Sequence, residues 1–133
     1  MKKANVLAIA LVNAIGLATL GLGGSAGAIS NCGSGHFCIW DGDNYTGGNA
    51  AALSVPVSSC RSIQTDPVFG YMDNITNSAA NASGHTIYMF DSNNCSGAIG
   101  YSINDGQSIP SLGTFSNKMS SFMRADAYCN LHC

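Results

Sequence analysis

The sequence predicts an all-β fold, a two-sheet sandwich with Greek-key connections, made of two repeated units and stapled by disulfides. Three observations predict it. The chain matches itself at a fixed offset. Its Ile-, Tyr-, Phe-, Trp- and Thr-rich segments are short, and Gly, Asn, Asp and Ser turns separate them roughly every 8–12 residues. Six cysteines follow an export-type leader.

The leader comes first in the chain. Lys2 and Lys3 precede an apolar run from Ala4 to Leu22, and Ala26-Gly27-Ala28 has the small-x-small form of a cleavage site. Residues 1–28 therefore read as a signal peptide cleaved before Ile29, with 29–133 as one domain. The competing reading is an uncleaved anchor, since the run approaches the length of a bilayer span. The small residues and glycines at its end favour cleavage. The mature chain is read as secreted.

Without the leader, Arg61, Lys118 and Arg124 face seven aspartates and no glutamate, a formal net charge of −4. Sparse acidic charge argues against nucleic acid, whose phosphates need clustered Lys and Arg. It argues equally against anionic lipid, so no membrane partner is expected after cleavage. A monomer is expected. All six cysteines, Cys32, Cys38, Cys60, Cys95, Cys129 and Cys133, lie after the leader and read as a disulfide framework of three bridges. Six cysteines allow 15 pairings. Gly33 and Gly35 permit a tight turn, which favours Cys32 with Cys38.

The repeat sets the architecture. Phe37-Cys-Ile-Trp-Asp-Gly-Asp-Asn-Tyr-Thr-Gly-Gly48 matches Ile87-Tyr-Met-Phe-Asp-Ser-Asn-Asn-Cys-Ser-Gly-Ala98 at an offset of 50. Gly70-Tyr-Met-Asp-Asn-Ile-Thr-Asn-Ser78 then matches Gly113-Thr-Phe-Ser-Asn-Lys-Met-Ser-Ser121 at an offset of 43. Motif one spans about 32–83 and motif two about 84–125, and a Cys-containing tail covers 126–133. The drop in offset gives motif one about seven extra residues, expected within Val55–Pro67. Strands are predicted at Phe37–Trp40, Ala50–Val55, Thr86–Phe90, Ile99–Ile103 and Ser121–Arg124. Trp40 reads as a core residue. Outside the leader no window shows a 3.6-residue apolar period. A unit that cannot bury its own apolar face must pack on its twin.

The pattern of an aromatic, a glycine seven residues on and a later Ser-closed Asn/Asp box reads Trp40, Gly47, Ser78 and again Phe90, Gly97, Ser121. It resembles the βγ-crystallin Greek-key motif. With the opening Cys32-Gly-Ser-Gly-His-Phe-Cys38-Ile-Trp, the chain is similar to small exported bacterial peptidase inhibitors of βγ-crystallin-like fold, typified by a metalloproteinase inhibitor. The resemblance covers about residues 32–125. It implies an extracellular protease as partner. The same fold also hosts calcium-binding structural modules and antifungal or killer-toxin-like wall binders.

Two sets of residues follow. The resemblance implies a calcium box in each motif, Asp73-Asn-Ile-Thr-Asn-Ser78 and Ser116-Asn-Lys-Met-Ser-Ser121, with Asp73, Asn74, Asn77, Asn117 and Ser120 as oxygen donors. Asn77 and Ser116 depart from the family pattern, and Lys118 places a cation in the second box. The same residues serve equally well as turn formers that bond their own backbone. No cofactor is required by this reading; calcium is the candidate. The second set is an inhibitory loop in Ser58–Thr65, where motif one departs from motif two, with Cys60, Arg61, Ser62 and Ile63 as its candidate residues.

Catalysis finds little support. Asp41 and Asp43 are turn residues, and His36 and His85 belong to no Ser/His/Asp arrangement. Cys129, His132 and Cys133 form one short cluster, whereas zinc sites pair separated ligand sets.

Overall fold

The computed structural model describes residues 25–133. The expected leader lies outside the described residues except for its last four. The elements are α1 Ser25–Cys32, β1 His36–Trp40, β2 Ala50–Ser54, β3 Arg61–Ser62, β4 Ser78–Asn81, β5 Ile87–Phe90, β6 Tyr101–Ile103, β7 Ser108–Ile109, β8 Ser121–Arg124 and α2 Ala125–His132. Single 3₁₀ turns at Asp43–Tyr45, Gly70–Met72 and Gly113–Phe115 join some of them. The expected cleavage point before Ile29 falls inside α1, where Ala28 is buried.

Two antiparallel sheets form, in the orders β2-β1-β4-β7 and β3-β8-β5-β6. Motif one supplies β1 to β4 and motif two β5 to β8. Each motif's third strand is therefore exchanged: β3 completes the sheet of motif two and β7 that of motif one. The register follows the repeat. Phe37 faces Leu53 as Ile87 faces Ile103, and Trp40 faces Ser78 as Phe90 faces Ser121.

The folded turn after the first strand of each motif is held by a buried serine. Ser78 Oγ donates to the Gly42 carbonyl at 2.6 Å and accepts from Tyr45 N–H at 3.0 Å. Its counterpart Ser121 Oγ donates to the Ser92 carbonyl and accepts from Cys95 N–H at 2.9 Å. Tyr45 and Cys95 both hold positive φ, 61° and 54°, which lays them back toward the aromatic of their own motif. Tyr45 meets Trp40 edge-on at 5.4 Å. Gly47, at φ 111°, is required, because a Cβ there would lie 1.8 Å from Asp41 Oδ1.

Phe37, Ile39, Leu53, Ile63, Met72, Ile87, Met89, Ile103, Met119 and Phe122 fill the space between the sheets, all with no exposed surface. Phe37 and Phe122 cross the sandwich with ring centroids 5.1 Å apart. The outer faces are unequally covered. Tyr128 of α2 packs on Tyr88 and Phe90, at 5.6 and 5.7 Å, and Phe90 is wholly buried. Trp40, its counterpart, is only half-buried, contrary to the expectation that it belongs to the core. No aromatic side chain of α1 reaches it, because Ser25–Cys32 has none.

One expectation about the tail is corrected, and the tail also holds a helix for which the sequence made no prediction. Residues 125–132 are helical, although an eight-residue stretch is too short to show a period in sequence. Cys129 and Cys133 are free and exposed, so two disulfides form, not three. Cys133 N–H bonds the Cys129 carbonyl at 2.9 Å, the helical spacing. That spacing holds their Cβ atoms about 5–6 Å apart, against about 3.8 Å in a bridge.

Replacing Ser78 by Ala leaves the Tyr45 N–H and the Gly42 carbonyl without their partner. A loss of about 1–3 kcal/mol is expected, read as a lowered thermal melting temperature, and Ser121→Ala should cost a similar amount.

Candidate functional site

The expected inhibitory segment is not an open loop. Cys60 is joined to Cys95 in the turn of motif two. Arg61 and Ser62 form β3 and pair with Phe122 and Ser121. Ile63 has no exposed surface and its N–H bonds the Ser120 carbonyl at 2.8 Å. Ile63 is thus a core residue and cannot reach a partner, which corrects its place in the candidate set. Its counterpart is Leu112, whose N–H bonds the Asn77 carbonyl in the same way.

That equivalence locates the extra residues. In motif two Leu112 is followed at once by the 3₁₀ turn Gly113–Phe115, but in motif one Gln64–Phe69 stands between Ile63 and the matching turn Gly70–Met72. The insertion is therefore mainly Gln64–Phe69, at the end of the expected Val55–Pro67 window and two residues past it.

Arg61 organises this region. Its Nη1 donates to the carbonyl and the Oγ of Ser54, at 2.7 and 2.8 Å. Its Nε and Nη2 both donate to Asp66 Oδ2, at 3.1 and 2.7 Å. The guanidinium lies 5.6 Å from the centroid of the Phe69 ring. Asp66 Oδ1 accepts the N–H groups of Val68 and Phe69, both at 2.9 Å. Both side chains of the ion pair are mostly buried, at 19% and 10% exposure. One charged pair thus ties the end of β2, the edge strand β3 and the insertion together. Gln64 Oε1 adds a bond from Asn93 Nδ2 at 2.8 Å, and Tyr71 donates its hydroxyl to the Ala50 carbonyl at 3.0 Å. Sequence reasoning missed Asp66, although an Asp followed two and three residues on by free N–H groups is an Asx turn in sequence.

The calcium-box residues converge where the two motifs meet. Asn74 and Asn117 occupy equivalent left-handed positions, φ 57° and 59°. Asn74 N–H bonds the Met119 carbonyl at 3.0 Å and Asn117 N–H bonds the Thr76 carbonyl at 2.9 Å. Their side chains repeat the exchange: Ser120 Oγ donates to Asn74 Oδ1 at 3.2 Å, and Asn77 Nδ2 donates to Asn117 Oδ1 at 3.3 Å. The two halves differ in donor chemistry. On the first side Asp73 brings a carboxylate whose Oδ1 is buried and without a partner, beside Asn74 and Ser120. These hard oxygens fit calcium. On the second side Asn77 Nδ2 donates to the carbonyls of Asp41 and Ile75, at 2.5 and 3.4 Å, and the box holds a cation, Lys118, and no carboxylate, so this side lacks the acidic oxygen of the first. Among the described residues no three His, Cys, Asp or Glu side chains converge as a metal set. No described helix is long and apolar enough to cross a membrane.

A family model for peptidase inhibitors, described as peptidase inhibitor family I36, matches residues 25–102, more than half of the chain. The chain belongs to peptidase inhibitor family I36. The match takes in both segments that flank β3, the insertion and the Cys60–Cys95 bridge. A comparison with curated protein sequences finds no match. Solved structures confirm the fold. A βγ-crystallin from Ciona intestinalis aligns with TM-score 0.53 and 20% identity, over 68% of this chain and 99% of that one. A βγ-crystallin domain from Clostridium beijerinckii gives 0.54 and 18%, over 66% and 94%. The N-terminal domain of protein S gives 0.53 and 15%, over 66% and 92%. At these identities the likeness establishes the βγ-crystallin fold alone. Members of the I36 family act on peptidases, so the chain is a peptidase inhibitor whose partner is a protease. The disulfides suit the extracellular setting usual for such proteins.

Burial opposes ionisation of Asp66, but bonds from Arg61, Val68 N–H and Phe69 N–H, with the guanidinium charge, outweigh it and hold its pKa below the usual 3.8. A depressed carboxyl pKa stabilises the fold fully above its unfolded value, about 3.9, and that contribution fades as pH falls through the folded value. Asp66→Asn is therefore expected to melt below the wild type at pH 7. The gap should narrow as pH drops below about 4, which parallel melts across pH will measure.

Proposed function

We propose that this I36 inhibitor blocks an extracellular metalloprotease by occupying its cleft with the disulfide-braced region around β3. The observation that carries the reading is the bracing itself. The segment leading into β3 is closed at one end by the β1–β2 ladder and at the other by Cys60–Cys95, and the Arg61–Asp66 pair joins its base to the insertion. A segment held in this way loses little conformational entropy when it is bound, which favours affinity. The mature protein acts as a monomer, and the interaction involves no group transfer.

The test is an active-site titration of the purified mature chain against thermolysin, with subtilisin and trypsin in parallel. Stoichiometric loss of thermolysin activity is expected, and reduction of the disulfides should abolish it. Full activity of all three enzymes at large inhibitor excess would overturn the reading.

A second reading adds calcium as a stabilising ligand. The buried, unpartnered Asp73 Oδ1 beside Asn74 and Ser120 favours it. Bound calcium would hold the junction of the two motifs and take no part in occluding a protease. Added Ca²⁺ is then expected to raise the melting temperature by linkage, and Asp73→Asn should remove the response. An unchanged melt in millimolar Ca²⁺ would exclude the site.

A further inference from the structure

The exposed apolar side chains of this molecule are unevenly distributed. Among the described residues Val57, Val68, Tyr71, Ile99 and Leu131 are the large hydrophobic residues left exposed. Val57 and Val68 stand out most in the β3 region, at 73% and 63%, and Tyr71 follows at 50%. They sit on the two segments that flank β3, and Arg61 holds both segments. Its guanidinium bonds Ser54, three residues before Val57, and Asp66, two residues before Val68. The insertion packs the half-buried Phe69 against that guanidinium and leaves the neighbouring Val68 exposed. Motif two has no counterpart to Gln64–Phe69, so the fold itself does not require this segment.

We infer that Val57 and Val68, exposed on the two segments that Arg61 bonds, are the contact tips of the inhibitor, and that they engage a protease whose specificity pocket takes a branched aliphatic side chain. Arg61 is then a positioning residue. It is occupied by Ser54, Asp66 and Phe69 and is not free for a pocket that selects cations. The inference rests on the inhibitor reading and adds to it the contact residues and the character of the pocket. An exposed aliphatic side chain on a held backbone gains the free energy of burial in the complex without first giving up a buried state. The occupant is a protease because the chain belongs to a peptidase inhibitor family.

The experiment compares wild type, Val57→Asp, Val68→Asp, the double variant and Arg61→Ala by inhibition constant against thermolysin, by thermal melt, and by mass spectrometry of the inhibitor after incubation with the enzyme. Each valine variant is expected to weaken inhibition about tenfold or more, the scale of an interface anchor, and to melt as the wild type does. Arg61→Ala is expected to weaken inhibition and to be cut within 55–59, where the wild type stays intact. A folded double variant that inhibits as well as the wild type would overturn the inference and leave the inhibitor reading standing. Uncut Arg61→Ala with wild-type inhibition would remove Arg61 from the positioning role. Wild-type protein that inhibits none of the three proteases would overturn the inhibitor reading, and the inference with it.

Discussion

Neither repeat completes its own sheet, because β3 and β7 each close the sheet of the other motif. The apolar face of motif one is finished by a strand that lies beyond the whole first half of motif two. The same exchange recurs in the loops, where Asn74 and Asn117 each bond a carbonyl of the opposite motif. The hydrophobic core is therefore common property. Phe37 meets Phe122 across it, and Ile63 of motif one enters it beside strands of motif two. A change in one half is felt in both, since there is no internal boundary at which damage can stop.

Much of this was legible in the sequence, and the physical reasons for the rest are specific. The five strands read from aromatic and β-branched runs, β1, β2, β5, β6 and β8, are present within a residue or two at their ends. The other three carry no such signal. β4 is Ser-Ala-Ala-Asn, a strand of small residues that exists because β1 and β7 flank it, and β3 and β7 are two residues long. Tertiary context overrides weak local preference there. The aromatic, glycine and serine of each motif were readable because a sharp folded turn leaves few residue types able to fill those places. Ile63 was not readable as core: it stands alone among polar neighbours, and only its match to Leu112 in the ladder explains it. Trp40 and Phe90 share a position, yet the helix that covers Phe90 follows the second motif and has no aromatic equivalent before the first.

The inhibitor's distinctive face arises from a departure from symmetry. Two motifs that match residue by residue through their turns differ after Ile63, where six residues enter. Those residues do not hang loose. Asp66 folds them into an Asx turn, Arg61 pairs with it, Phe69 tucks under the guanidinium, and Gln64 reaches the turn of motif two. A mostly buried ion pair is weak evidence for net stability, since desolvation opposes it, but it is a strong determinant of geometry when all three guanidinium nitrogens are engaged, as those of Arg61 are. Here it sets two chain segments at one distance from one another.

The Cys60–Cys95 bridge has a mechanical consequence. Suppose a protease severs a peptide bond between Val55 and Ser59. The upstream end remains in the β1–β2 ladder, gripped at Ser54 by Arg61, and the downstream end is covalently moored to the turn of motif two. Each new terminus is thus anchored in the folded body close to the cut, one by sheet pairing and the other by the bridge. Scission divides the chain into two pieces that share no disulfide, and the pairing of β1 with β4 is what holds them in one sheet.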